Sequence, residues 1–165
     1  MKLNNYLLTF CCAIGSAHLH ADEFANAGGH ATTKPIEPIM ATIPAGSFAM
    51  GSTKKESTQP VTNVNVKEFS LGKYEVTQAE YEFVMTGNSD GIDATPNYFP
   101  GHSDRPVEGV KYGDIQVFIQ RLNEQMASTI PAGWGYVLPT EAQWEYACRA
   151  GTNTAYSWSG SIASN

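Results

Sequence analysis

Leu138-Pro139-Thr140-Glu141-Ala142-Gln143-Trp144-Glu145-Tyr146-Ala147-Cys148-Arg149-Ala150-Gly151-Thr152 is the stretch on which the reading of this chain turns. Pro139 ends whatever precedes it. Thr140 and Gln143 have the spacing of a capping box, in which each side chain satisfies a backbone amide that the first helical turn leaves without a partner. Trp144, Ala147 and Cys148 then share an apolar face, and Gly151 is a natural stop. The same device opens a second helix at Thr77-Gln78-Ala79-Glu80, where Tyr81, Val84 and Met85 form the apolar face and Gly87 ends the run. Between the two, Ile115, Phe118, Ile119, Leu122 and Met126 recur at helical spacing, with Asp114 in the first turn where the helix dipole favours an acid.

Upstream the texture changes from helical to extended. Ile39 to Ile43, then Pro44-Ala45-Gly46, then Ser47 to Met50 reads as strand, turn, strand, with Pro presetting the turn and Gly supplying a positive φ. Val61 to Phe69 alternates, with Val64 and Val66 on one face and Asn63, Asn65 and Lys67 on the other. Thr86 to Pro106 is rich in Gly, Asn, Asp and Pro and reads as a structured loop. Short strands, short helices and long loops predict an α+β domain.

The totals narrow the class. With 165 residues there is room for one domain, and 42% hydrophobic against 16% charged residues excludes a disordered tail. The net charge is −6 and Lys54-Lys55 is the only adjacent basic pair, so nothing offers a phosphate backbone a basic stripe. Nucleic acid is excluded as a partner on that ground.

Met1-Lys2 followed by the apolar run Tyr6 to Ile14 and then small residues predicts an export signal over residues 1–21, cleaved after Ala17 or after Ala21. The run is too short to span a bilayer. Phe10 before Cys11-Cys12 argues against a lipid-attachment site. Removal of the signal leaves Cys148 alone, an odd thiol for an oxidising compartment. Residues 22–38 have no apolar period and read as a linker, and the domain proper is expected over 39–165.

Four stretches in order resemble one family, that of the formylglycine-generating enzymes, or sulfatase-modifying factors. Ile43 to Ser52 is similar to its opening strands, Lys73 to Tyr81 to its first helix entry, Asp104 to Val110 to the strand before its second helix, and Leu138 to Thr152 is the most diagnostic. The structural motif residues are Thr77, Glu80, Pro139, Thr140, Glu141, Trp144, Glu145, Cys148, Arg149 and Gly151. The chain departs from the family pattern at Val137, at Trp158-Ser159-Gly160 and at Lys111-Tyr112-Gly113. The resemblance implies a C-type-lectin-like variant of the α+β class, incomplete at the C-terminus. It also implies an oxidoreductase that converts a sulfatase cysteine, within Cys-x-Pro-x-Arg, to formylglycine. The family places its copper(I)-binding cysteine pair, its calcium loops and a possible disulfide partner for Cys148 in the other half of the domain. No catalytic, cofactor or metal residue is therefore expected in these 165 residues, which are expected to be inactive alone and marginally stable. The implied partner is an unfolded sulfatase or another exported polypeptide. The alternative is a non-catalytic C-type-lectin-like module that binds protein or glycan. The iron-dependent sulfoxide synthases that share the domain are disfavoured, since only a signal and a linker precede Ile39.

Individual residues have plainer readings. Glu141 and Glu145 are four apart, as paired carboxylates for acid/base work would be, but Glu141 suits a helix N-terminus and Glu145 suits solvent or Arg149. Cys148 has no nearby His to activate it and reads as structural. Asn88 to Asp93 has the look of a calcium loop, yet aligning Asp90-Gly91 with its Asp-Gly puts Thr86 and Asn97 where carboxylates are needed. His18 and His20 fall in or near the signal and His30 in the linker, leaving His102 unable to build a metal site by itself. Tyr98, Phe99, Trp134, Tyr136, Tyr156 and Trp158 read as core rings before they read as a peptide-binding surface.

Overall fold

The computed structural model describes residues 4–8, 37–53 and 58–154, which are mixed helix and strand in an α+β arrangement. Nine elements follow in order: β1 Asn4–Leu7, β2 Met40–Ile43, β3 Gly46–Met50, β4 Thr62–Val66, β5 Phe69–Gly72, α1 Gln78–Met85, α2 Tyr112–Met126, β6 Trp134–Val137 and α3 Glu141–Arg149. Among the described residues no helix is long and apolar enough to cross a membrane. The described residues fall into two units.

The sheet unit holds the strands and α3. Four strands form a mixed sheet in the order β2-β5-β1-β6, and β3 pairs with β4 in a separate antiparallel ribbon. The sequence around Pro44 is therefore a crossing between sheets and not a hairpin: β2 pairs with β5, from Met40 opposite Gly72 to Ile43 opposite Phe69, while β3 pairs with β4, from Gly46 opposite Val66 to Met50 opposite Thr62. Gly46 also differs from the expectation. It is absent from the positive-φ glycines, and its requirement is steric: a Cβ there would run into the Tyr146 hydroxyl. The Val61 to Phe69 run breaks at Lys67-Glu68, so that Val66 ends one strand and Phe69 begins another. Both still bury, and with Phe48 they form a cluster packed by Ile43, Met50, Val64, Leu71, Val137, Tyr146 and Ala147.

Asn4–Leu7, part of the segment read as an export signal, lies in this sheet as β1, parallel to both β5 and β6. Leu8 is buried and its N–H donates to the Val137 carbonyl at 2.9 Å. Most of residues 1–38, including both cleavage positions and the greater part of the linker, lies outside the described residues, as do Tyr156 and Trp158.

The helical unit, residues 74–132 with 37–39, is built on α1 and α2. Thr77 caps α1: its hydroxyl accepts from the Glu80 N–H at 3.2 Å, and the Glu80 carboxylate accepts from the Thr77 N–H at 2.7 Å. Tyr81 stacks on Phe118 of α2 with ring centroids 5.3 Å apart and planes 9° from parallel. Phe118, Ile119, Leu122 and Met126 are buried and Ile115 half-buried, so the helical spacing in the sequence marks the packed face. The last carbonyls of α1 have no intrahelical donor, and α2 supplies one: Arg121 donates from Nε to Val84 O at 2.8 Å and from Nη2 to Thr86 O at 3.0 Å. A cation at a helix C-terminus also meets the negative end of the dipole.

Candidate functional site

The diagnostic stretch becomes α3. Its N-terminus is capped by Thr140, whose hydroxyl accepts from the Gln143 N–H at 3.3 Å while the Gln143 side-chain oxygen accepts from the Thr140 N–H at 3.0 Å. At the other end Ala150 takes φ 45° and Gly151 φ 80°, which turns the chain out of the helix.

The face that α3 packs is only partly the one its sequence suggests. Tyr146 and Ala147 rest on the Phe48–Val66–Phe69 cluster, with the Tyr146 and Phe48 rings 5.4 Å apart. Trp144 is 51% exposed and Cys148 is exposed. The physical reason is the position of the β3–β4 ribbon, whose Gly46 leaves a space that the Tyr146 ring fills. A helical wheel cannot choose between two adjacent apolar stripes when the partner is almost one hundred residues away in sequence.

Beside that contact Glu145 and Arg149 form an ion pair, Arg149 Nη2 to Glu145 Oε1 at 2.6 Å with Nε to the same oxygen at 2.9 Å. Both reach across to the backbone of one residue. Glu145 Oε1 accepts from the Gly51 N–H at 2.9 Å, and Arg149 Nη2 donates to the Gly51 carbonyl at 2.9 Å. Gly51 sits at φ 96°, where a side chain is strained, so the clip depends on glycine at the end of β3. The guanidinium also lies 5.9 Å from the Phe48 ring centroid. A cavity of about 160 Å³ opens between Gly46, Ser47 and Phe48 on one side and Tyr146, Arg149 and Gly151 on the other.

This arrangement holds two segments together and offers little to a substrate. Glu145 is engaged by three donors, and Glu141 lies exposed in the first turn of α3. Partial burial, and then the Glu145 carboxylate, push the Cys148 thiol up from its ordinary value. A thiol whose pKa is raised is the weaker nucleophile near neutral pH. Copper(I) would need a pair of thiolates and Cys148 is the one cysteine among the described residues, so they do not fit it; among them no three His, Cys, Asp or Glu side chains gather around a metal-sized space.

The calcium-like loop is closed on itself. Asn88 Oδ1 accepts from the N–H groups of Asp90 and Ile92 at 3.1 and 3.0 Å, its Nδ2 donates to the Met85 and Ile92 carbonyls, and Asp93 Oδ1 accepts from the Thr95 N–H at 2.8 Å. These are turn-forming contacts of Asn and Asp with their own backbone. Of the candidate surface rings, Tyr98 is 75% and Phe99 67% exposed, Trp134 is half-buried and Tyr136 is buried. His102 is exposed.

The family model for the sulfatase-modifying factor enzyme 1-like domain matches residues 26–165. The chain belongs to this family. It is 28% identical to a formylglycine-generating enzyme of Bos taurus, over 87% of this chain and 48% of the relative. It is 27% identical to a formylglycine-generating enzyme of Mycobacterium tuberculosis, over 70% of this chain and 53% of the relative. A chaperone protein LppX of Paenibacillus barcinonensis is 32% identical over 76% of this chain and 51% of the relative. The chain thus spans about half the length of the curated relatives it matches. Within the family stretch, Glu145 and Arg149 were legible as a pair by their spacing of four. Their target Gly51, and the fit of Gly46 to Tyr146, left no signal in local sequence.

Proposed function

We propose that these residues form the scaffolding half of a formylglycine-generating-type domain with a C-type-lectin-like fold. The complete domain would oxidise a cysteine of an exported sulfatase to formylglycine, and this half would not catalyse the reaction alone. The Glu145–Arg149 clip on Gly51 carries the proposal: the charged pair of the family stretch is committed to joining α3 to the β3–β4 ribbon. The raised pKa of the Cys148 thiol supports the same reading. Copper(I) and calcium, implied by the family, are assigned to the other half, and Cys148, exposed beside Trp144, is the candidate for a disulfide with it. The test is direct. The chain is mixed with a Cys-x-Pro-x-Arg peptide, copper(I) and oxygen, and any aldehyde is captured with a hydrazide. No aldehyde above the peptide blank is expected, and an aldehyde formed in proportion to the chain would overturn the proposal.

A second reading, a non-catalytic module that binds protein or glycan, is favoured by one observation. Tyr98, Phe99 and Tyr112 are between 67% and 75% exposed in the helical unit. The loop that carries the first two is held firmly, with Glu108 accepting from the Phe99 N–H at 2.8 Å and Gln78 Nε2 donating to the Phe99 carbonyl at 3.3 Å. Rigid exposed rings are suited to binding. On this reading Tyr98→Ala and Phe99→Ala weaken capture by immobilised polypeptide or glycan, and equal capture by the variants removes it. Either activity is proposed to operate after export, and N-terminal sequencing of the exported chain is expected to start at His18 or Asp22.

A further inference from the structure

The turn that follows α1 is held by a single side chain. Asn88 Oδ1 accepts from the Asp90 N–H at 3.1 Å and from the Ile92 N–H at 3.0 Å, while Asn88 Nδ2 donates to the Met85 and Ile92 carbonyls at 2.9 and 2.7 Å. The Gly91 N–H lies between the two amides that Asn88 holds and belongs to neither bond. Gly91 takes φ 70°, and a Cβ added to it would meet no atom within 4 Å. Asp90 is exposed and enters the turn through its N–H, not through its carboxylate. An aspartate is thus followed by a glycine amide in open space.

The other described aspartates are placed differently. Asp93 Oδ1 accepts from the N–H and the hydroxyl of Thr95 at 2.8 and 3.2 Å. Asp114 Oδ2 accepts from the Lys111 N–H at 3.0 Å, and the next amide, that of Ile115, donates to the Lys111 carbonyl at 3.0 Å. After Asp104, the Arg105 N–H donates to the His102 carbonyl at 3.1 Å. In each case the carboxylate or the following nitrogen is already engaged.

We propose that Asp90-Gly91 is a self-modification site, at which the aspartate converts to isoaspartate. The Gly91 nitrogen attacks Cγ of the protonated Asp90 carboxyl group. The N–Cγ bond forms, the Cγ–O bond breaks, and the amide proton leaves with the hydroxyl as water. One water then opens the resulting succinimide. Cleavage at the Asp90 main-chain carbonyl routes the chain through Cβ and Cγ and leaves a free α-carboxylate, whereas cleavage at Cγ restores aspartate. No cofactor, oxidant or partner enters, and the mass is unchanged. Glycine suits the attack because no side chain crowds its nitrogen and its backbone turns freely. The consequence is mechanical: the new link adds one backbone atom between the two amides that Asn88 Oδ1 holds, so one of those bonds is lost and the segment from Ile92 onward is released from the end of α1.

The experiment ages the full chain at 37 °C and neutral pH and maps isoaspartate by electron-transfer fragmentation of its peptides. Isoaspartate is expected at residue 90 about tenfold faster than at Asp93, Asp104 or Asp114. Asp90→Glu keeps the charge but needs a larger, slower-closing ring, and is expected to abolish the product at this position. Isoaspartate no faster at residue 90 than at the other three, or formed there only after the chain is unfolded in urea, overturns the proposal. Amide exchange at Ile92 in the aged chain is expected to speed by about tenfold, with α2 amides unchanged. Unchanged exchange at Ile92 overturns the release.

Discussion

The two units teach different lessons about what a sequence encodes locally. In the helical unit the joining contacts are close in sequence: Arg121 reaches Val84 across 37 positions and Gln78 reaches Pro106 across 28. In the sheet unit the clip from α3 to Gly51 spans 94 and 98 positions. Helix caps and a 3.6-residue apolar period are enough to specify the first, because each helix presents one stripe and the neighbouring helix is its nearest partner. The second is decided by which segments meet, and that information is spread over three separated stretches.

The sharpest way to break this contrast is to remove the ring at the centre of each unit. Phe118 is 1% exposed and stacked on Tyr81, whereas Phe48 is 9% exposed within its cluster. Phe118→Ala is expected to cost about 3–5 kcal/mol in urea unfolding, and Phe48→Ala to fall at or below the lower end of that range. A larger loss at Phe48 would mean that the long-range unit, not the local one, is the better packed.

The next effect is alkaline. The Tyr81 hydroxyl is buried with no hydrogen-bond partner among the described residues, and burial, followed by the charges of Asp114 and Asp93, pushes its pKa to about 12 from 10.0. The folded state thus favours the neutral phenol more than the unfolded chain does. This preference is fully present below pH 10 and is lost as pH rises from there through about 12. The full loss is about 2–3 kcal/mol. Tyr81→Phe is expected to flatten this limb of the stability profile, as read by unfolding midpoints at pH 9 to 12. A limb unchanged in the variant would place the alkaline loss elsewhere, and with it remove the evidence that the α1–α2 interface excludes charge.

How much was legible follows the same division. Thr77–Glu80 and Thr140–Gln143 marked helix starts because a cap is a contact within four residues, and Phe118, Ile119, Leu122 and Met126 marked a face because a helix repeats. The Pro44 region was legible as strand, turn, strand, but turn chemistry tells where a chain bends and not which strand it will pair with, and β2 and β3 take different partners. The β6 strand Trp134–Val137 lay unassigned, being four residues with no alternation to distinguish it. For α3 the sequence located the helix and its ion pair, but of the apolar face Trp144, Ala147 and Cys148 only Ala147 packs, with Tyr146 beside it, and the position of β3 is what makes that choice.

That choice is testable at Gly46. A Cβ added there meets the Tyr146 hydroxyl, so Gly46→Ala is expected to destabilise the sheet unit by about 1–3 kcal/mol through overpacking. Tyr146→Phe removes the clashing oxygen, and the double variant is expected to recover part of the loss, a coupling that a double-mutant cycle measures directly. Additive losses would mean that α3 and the ribbon adjust independently, and the long-range fit would then be looser than the clip to Gly51 suggests.

The smallest effect concerns the caps, where the two units are most alike. Each Thr hydroxyl accepts from the third helical amide, at 3.2 Å for Thr77 and 3.3 Å for Thr140, and each third side chain accepts from the cap's own N–H. They differ in setting. Thr77 is half-buried and its partner Glu80 is an acid, while Thr140 is exposed and Gln143 is an amide. Water can replace the hydroxyl at an exposed cap more readily than at a buried one, and a carboxylate acceptor is the stronger of the two. Thr77→Ala is therefore expected to cost about 1–2 kcal/mol and Thr140→Ala about 0.5–1 kcal/mol, compared by unfolding at neutral pH. A reversed order would mean that the α3 cap carries more than its own helix end: loosening the first turn of α3 would then also loosen the hold of Glu145 and Arg149 on Gly51, and a local signal would be supporting the contact that local sequence cannot specify.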